Sequence, residues 1–167
     1  MEDQPHSPPI DSDPLEPMLC FALYAAARAT NRRYNALLEP WSLTYPQYLA
    51  LVLLWSRRSL TVKEVAENMM LDSGTTSPLI KRLETRGFIR RERSTADERT
   101  VIVSVTDAGL ALRTELAHIP LRIAAATQLD QSDGKNALSI LHKVIRNLSA
   151  TPMLDNDSSK TTPPTHA

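Results

Sequence analysis

One cysteine, Cys20, stands among the 167 residues. A thiolate is the form of cysteine that attacks peroxides, and the local sequence bears on how readily that form arises. Cys20 follows Pro17 by three residues, which places it in the first turn of a predicted helix. The positive end of the helix dipole there attracts negative charge. Tyr24 lies four residues on, on the same helical face, so its phenol is placed to donate a hydrogen bond to the thiolate. The neighbours Leu19, Phe21 and Leu23 are apolar. They oppose charge by desolvation, yet they suit an alkyl hydroperoxide. A lone cysteine in an alanine-rich helix is also a common core filler, and the residues alone leave that alternative open. With no second cysteine, a sulfenic acid would be trapped by a low-molecular-weight thiol, close to a sulfenamide, or oxidise further. Trapping by such a thiol would leave a mixed disulfide on Cys20, and further oxidation a charged sulfinic or sulfonic acid. No Arg or Thr motif surrounds Cys20 to polarise a peroxide for turnover, so the chain is not read as an enzyme.

A second chemistry lies in residues 73–99. Ser73, Gly74, Thr75, Thr76 and Ser77 open a predicted helix with short hydroxyls and a close-approach glycine. Such a helix start offers hydroxyls and free N–H groups to phosphates and base edges. Lys81 and Arg82 follow one turn later, within reach of a nucleic-acid backbone. Arg93 ends a predicted strand, and the loop 94–99 carries Arg99 to its tip, where a narrow minor groove attracts guanidinium. Asp97 is expected to hold Arg99 through a bidentate pair. Net charge is zero, from 19 basic and 19 acidic residues, but the distribution is uneven. Residues 1–17 hold five acids and no Lys or Arg, whereas residues 81–99 hold seven bases against four acids. A locally basic segment is masked by an acidic tail.

The elements that must position these groups read mainly as helices. Only four glycines and 5% aromatics argue against glycine-loop nucleotide folds and barrels. No apolar run is long enough to cross a membrane, and residues 1–14 lack the basic and apolar regions of a secretory signal. A cytoplasmic protein without metal or other cofactor is expected. The proline-rich, polar tails 1–17 and 149–167 are read as disordered, and 18–148 as the folded domain. A helix starting near Pro17 runs to Pro40, with Leu19, Leu23, Ala26, Ala27, Tyr34, Leu37 and Leu38 as its apolar stripe. Thr44 and Gln47 form a capping box before YLALVLLW, which is apolar on all sides, as in a central helix. Thr61 and Glu64 form another before a short helix carrying Val62, Val65, Ala66 and Met69. Asp72 or Ser73 caps the next helix, which buries Leu79, Ile80 and Leu83 and stops at Gly87. Segments 88–93 and 100–105 read as a β-hairpin. Two helices follow, 106–126, interrupted or kinked near Pro120, and 130–148, with Leu138, Leu141, Val144, Ile145 and Leu148 in a stripe. This order is a winged helix-turn-helix, mainly α with a small β-hairpin wing. The terminal helices cannot bury their stripes on that module and are expected to form a homodimer interface.

The stretch LDSGTTSPLIKRLETRGFIRRERSTADERTVIVSVTDAG, with its Asp97-Glu98-Arg99 triplet and Val105-Thr-Asp-Ala-Gly109, resembles the recognition helix and wing of the MarR family of winged-helix repressors. Leu19-Cys-Phe-Ala-Leu-Tyr24, Tyr34 and Leu43-Thr-Tyr-Pro-Gln-Tyr48-Leu resemble, within it, the one-cysteine organic hydroperoxide resistance regulators. The resemblance covers about residues 15–148. It implies a dimeric repressor bound to palindromic double-stranded DNA, released when an organic hydroperoxide oxidises Cys20. It also implies that Tyr34 and Tyr45, with Tyr24 nearby, contact the thiol, the thiol of one subunit meeting tyrosines of the other. A MarR-type repressor released by a small phenolic ligand, with Cys20 structural, is the alternative. The chain departs from the family at Pro17-Met18, at Thr76-Ser77 and at Met70.

Overall fold

The computed structural model describes residues 14–151. Of the tails, residues 1–13 and 152–167 lie outside the described residues. Within them, residues 14–17 form a turn and residues 149–150 continue the last helix.

Helix α1 spans Leu19–Leu38. It begins two residues later than Pro17 suggested, because a turn closed by Met18 N–H on the Leu15 carbonyl absorbs the proline. The Met18 carbonyl then accepts the first helical bond, from Ala22, and Cys20 remains in the first turn. A short 3₁₀ turn, Glu39–Trp41, follows Leu38. Helix α2 is Tyr45–Arg57. Its start is held by the Gln47 amide oxygen, which accepts from the Thr44 N–H at 2.9 Å. It runs through the core without being enclosed: Ala50, Leu51 and Leu54 are buried, but Val52 is exposed.

Strand β1, Ser59–Thr61, was not anticipated. Three residues are too short to show a β alternation. The strand exists because β3 offers it an edge. Helix α3, Val62–Met69, starts at the expected box, with Glu64 N–H on Thr61 Oγ1 and Thr61 N–H on the Glu64 carboxylate. Helix α4 is Ser73–Thr85, strands β2 and β3 are Ile89–Arg93 and Val101–Val105, and helix α5 is Asp107–Glu115. Helix α6 is Ile119–Thr127, so the expected interruption near Pro120 is a full break. The sheet is antiparallel in the order β1-β3-β2, with Leu60 opposite Val103 and Arg91 opposite Val103 on the other side.

The core joins Leu38, Leu51, Leu54, Val65, Ile80, Leu83, Ile89, Val103, Leu116 and Ile119, all essentially closed to solvent. Trp55 donates from its indole to the Gly109 carbonyl at 2.7 Å. Gly109 is required there: a Cβ would sit 2.1 Å from the Phe88 carbonyl oxygen.

The chain divides into two compact units at Ala126/Thr127. The second contains helix α7, Gln131–Ala150, capped by the Asp130 carboxylate on the N–H groups of Ser132 and Asp133. Its residues Leu138, Leu141, Ile145 and Leu148 are exposed along one face.

Candidate nucleic-acid interface and thiol site

Helix α4 is built to present its first turn. The cap is Asp72, whose carboxylate accepts the Thr75 N–H and the Thr75 hydroxyl, both at 2.8 Å. These bonds hold the Asp72 carboxyl below the usual aspartate range. Gly74 leaves room for this cap, since a Cβ would come within 3.0 Å of the carboxylate. Ser73, Gly74, Thr75 and Ser77 are exposed, as are Lys81 and Arg82. Thr76 is a correction. Its side chain is fully buried and its hydroxyl donates to the Asp72 carbonyl at 2.8 Å. The helical period turns position 76 inward with Leu79, Ile80 and Leu83, so the Thr76 side chain belongs to the core and is not presented at the surface with its neighbours.

The hairpin loop differs from expectation in one bond. Asp97 accepts the backbone N–H of Arg99 at 3.0 Å and the Thr100 hydroxyl at 2.8 Å. It therefore shapes the loop backbone instead of pairing with the Arg99 guanidinium, a short-range Asx turn that a following hydroxyl completes. The two hydrogen bonds keep its carboxyl below the ordinary range. Arg99 and Arg93 are exposed. A cleft of about 660 Å³ separates the loop from α3 and α4, with Arg91, Arg99, Ser77 and Glu64 among its lining residues. The hairpin is tied to α4 by Arg91, which meets the Glu84 carboxylate at 2.6 Å. That contact was not legible from spacing, because seven residues and a turn separate the partners.

The thiol end of α1 is open. Cys20 is exposed, with Leu19 and Met18 exposed beside it. In the described chain Cys20 fills no core, which removes the filler reading for a single chain. Tyr24 is exposed, and its hydroxyl accepts from the Arg28 guanidinium at 3.0 Å, with Arg28 also over the ring. The phenol thus leans towards the following turn, not back to Cys20. Tyr34 and Tyr45 come together, stacked with centroids 4.0 Å apart and planes within 18°. The sequence missed Tyr48, buried against Tyr34 at 5.6 Å. Burial raises the pKa of all three phenols above the ordinary value of 10.0, aided for Tyr34 and Tyr48 by their phenol neighbours. At neutral pH they are hydrogen-bond donors. Cys20 and Tyr34 are 14 positions apart along α1, about 21 Å at the α-helical rise.

The family sequence profile described as MarR family matches residues 43–101. The organic hydroperoxide resistance transcriptional regulator of Bacillus subtilis (strain 168) is 43% identical over 134 residues, covering 80% of this chain and 91% of that protein. The chain belongs to the MarR family. Solved structures agree. That of reduced AbfR bound to DNA has a TM-score of 0.67 and 30% identity, covering 80% of this chain and 93% of that one. That of overoxidized AbfR bound to DNA has a TM-score of 0.68 and 29% identity, covering 82% and 96%. AbfR is from Staphylococcus epidermidis.

MarR proteins are DNA-binding transcriptional regulators and not enzymes, and this chain is one of them. The winged-helix architecture expected from the order of elements is the one present, enlarged by β1. Among the described residues no helix is long and apolar enough to cross a membrane. No cluster of His, Cys, Asp and Glu among them is placed to hold a metal ion.

Proposed function

We propose that this MarR protein is a homodimeric repressor in which an organic hydroperoxide oxidises Cys20 and thereby releases operator DNA. The carrying observation is the arrangement on α1. An exposed thiol sits among exposed apolar side chains at one end, and a pair of stacked, protonated tyrosines sits about 21 Å away at the other. One chain cannot join them. Two α1 helices packed antiparallel about a two-fold axis would bring each thiol to the partner's tyrosines and bury the apolar residues around it. The similarity to the Bacillus subtilis hydroperoxide regulator supports the same reading.

The chemistry follows from the thiol. The Cys20 thiolate attacks the distal oxygen of the hydroperoxide. The S–O bond forms as the O–O bond breaks, and the alkoxide leaves with a proton as the alcohol. The two electrons come from sulfur. A low-molecular-weight thiol then displaces water from the sulfenic acid, giving a mixed disulfide. A group of that size cannot share the closed interface with the tyrosines. That AbfR is described bound to DNA when overoxidized favours the mixed disulfide over sulfinic or sulfonic acid as the releasing form here.

Ser73, Gly74, Thr75 and Ser77 would meet the major groove, with Lys81, Arg82 and Arg93 on phosphates and Arg99 in the minor groove. Two such heads require half-sites about 34 Å apart. The test is DNA binding by reduced protein, titrated with cumene hydroperoxide with and without a small thiol. Wild type should lose about tenfold or more in affinity when the thiol is present, while Cys20→Ser holds within about twofold. If both proteins hold DNA, Cys20 is not the sensor, and a phenolic ligand becomes the inducer to seek.

A further inference from the structure

The turn between α1 and α2 is bound from three sides, and one residue of the recognition helix takes part. Arg86 is the residue that ends α4. Its guanidinium donates to the Ser42 carbonyl at 2.7 Å and to the Trp41 carbonyl, and it lies 4.9 Å from the centre of the Phe88 ring. The same turn is fastened to α1 by Asn35, whose side-chain oxygen accepts the Tyr45 N–H at 2.8 Å. It is fastened to α5 by the Trp41 indole, which donates to the Glu115 carboxylate at 2.7 Å. Ser42 holds a left-handed conformation, φ 48°, which a serine adopts at a cost and which points its carbonyl to its partner.

We propose that Arg86 is a positioning residue for DNA recognition. It clamps the C-terminal end of the recognition helix to the 41–42 carbonyls, so the placement of the reading head follows the α1–α2 junction that also holds the Tyr34–Tyr45 stack. Its geometry is specific to arginine. A planar fork reaches two carbonyls and stacks on a ring at once, whereas an ammonium offers a point charge. The proposal concerns DNA binding by the reduced protein and stands apart from hydroperoxide sensing.

The probe is a duplex selected for tight binding from a random-sequence pool. Reduced full-length protein is measured over a range of salt as wild type, Arg86→Ala, Arg86→Lys, Asn35→Ala and the Asn35→Ala/Arg86→Ala double variant. Circular dichroism confirms that each is folded. Both Arg86 variants should bind about 5- to 20-fold more weakly with an unchanged salt slope, since no phosphate contact is lost. Asn35 and Arg86 do not touch, so independent effects would multiply. A shared junction should instead make the double variant at least about fivefold tighter than the product of the singles. The proposal is overturned if Arg86→Lys binds like wild type, or if the salt slope drops by about 1, as a direct phosphate contact requires. Effects that multiply within about twofold, or unchanged binding with only a lower unfolding temperature, overturn it equally.

Discussion

At the scale of residues, adjacent hydroxyls in one short run have opposite fates. Thr76 is a core residue whose hydroxyl is spent on the Asp72 carbonyl, while Ser77 is exposed one position on. Thr76→Val keeps the shape and removes only that bond. Stability should change by about 1 kcal/mol or less, and DNA affinity should stay within about twofold, measured by urea unfolding and DNA titration. Ser77→Ala should do the reverse, leaving stability alone and weakening binding several-fold. The tyrosines offer a pH test. Tyr34, Tyr45 and Tyr48 have raised pKa values, so the folded state holds their protons more tightly than the unfolded chain does. Their contribution to stability is complete below the unfolded value of 10.0 and is lost as pH rises beyond it towards the folded values. Phenolate absorbance should therefore rise late in the folded protein, and Tyr34→Phe should remove part of the late step.

At the scale of elements, caps and close approaches do the positioning. Gly109 brings the first turn of α5 against the Phe88 carbonyl. Gly109→Ala forces strand and helix apart and should cost about 1–3 kcal/mol, read from the urea midpoint at unchanged slope. Helix α4 depends on carboxylates at both ends, Asp72 as its cap and Glu84 on Arg91 of the hairpin. Both have depressed pKa values, Asp72 from its bonds to Thr75 and Glu84 chiefly from Arg91. The stability they add is present above the unfolded values of 3.8 and 4.5 and is lost as pH falls through the lower folded ones. Asp72→Asn should flatten the acid limb of a stability–pH curve, and the flattening should lie below the unfolded aspartate value of 3.8, not near neutrality. Spacing already revealed the Thr61 box and the Gly87 stop, since both are local hydrogen-bond patterns. It could not reveal β1 or the Arg91–Glu84 pair, whose partners are distant in the chain.

At the scale of the molecule, apolar surface remains. Leu19 and Leu148 are 64% and 70% exposed, near opposite ends of the described chain. Exposed apolar faces of this extent are typical of an association surface. The proposed homodimer should sediment at twice the 18.6 kDa chain mass. Leu141→Glu with Ile145→Glu should convert it to monomer and abolish tight operator binding, while leaving the winged-helix unit folded by circular dichroism. A dimer that survives both changes, or a monomer that binds DNA as tightly as wild type, would reject α7 as part of the interface.

The sequence by itself determined the capped starts of α2, α3 and α4, the stop at Gly87, the inward stripes of α3 and α4 and the hairpin, because each is a matter of neighbours within a few residues. It also carried the family, through the run from Leu71 to Gly109. Only the tertiary structure decided which side chains of different elements meet. It stacked Tyr34 on Tyr45, tied Arg91 of the hairpin to Glu84 of α4 and brought the Trp55 indole to the Gly109 carbonyl. It also exposed Cys20 and joined Arg86 to the α1–α2 turn. The physical reason is that a hydrogen bond or ring contact between distant residues depends on where whole elements come to rest. That placement is set by the packing of the shared core around Leu38, Leu54 and Ile80, which no local pattern specifies.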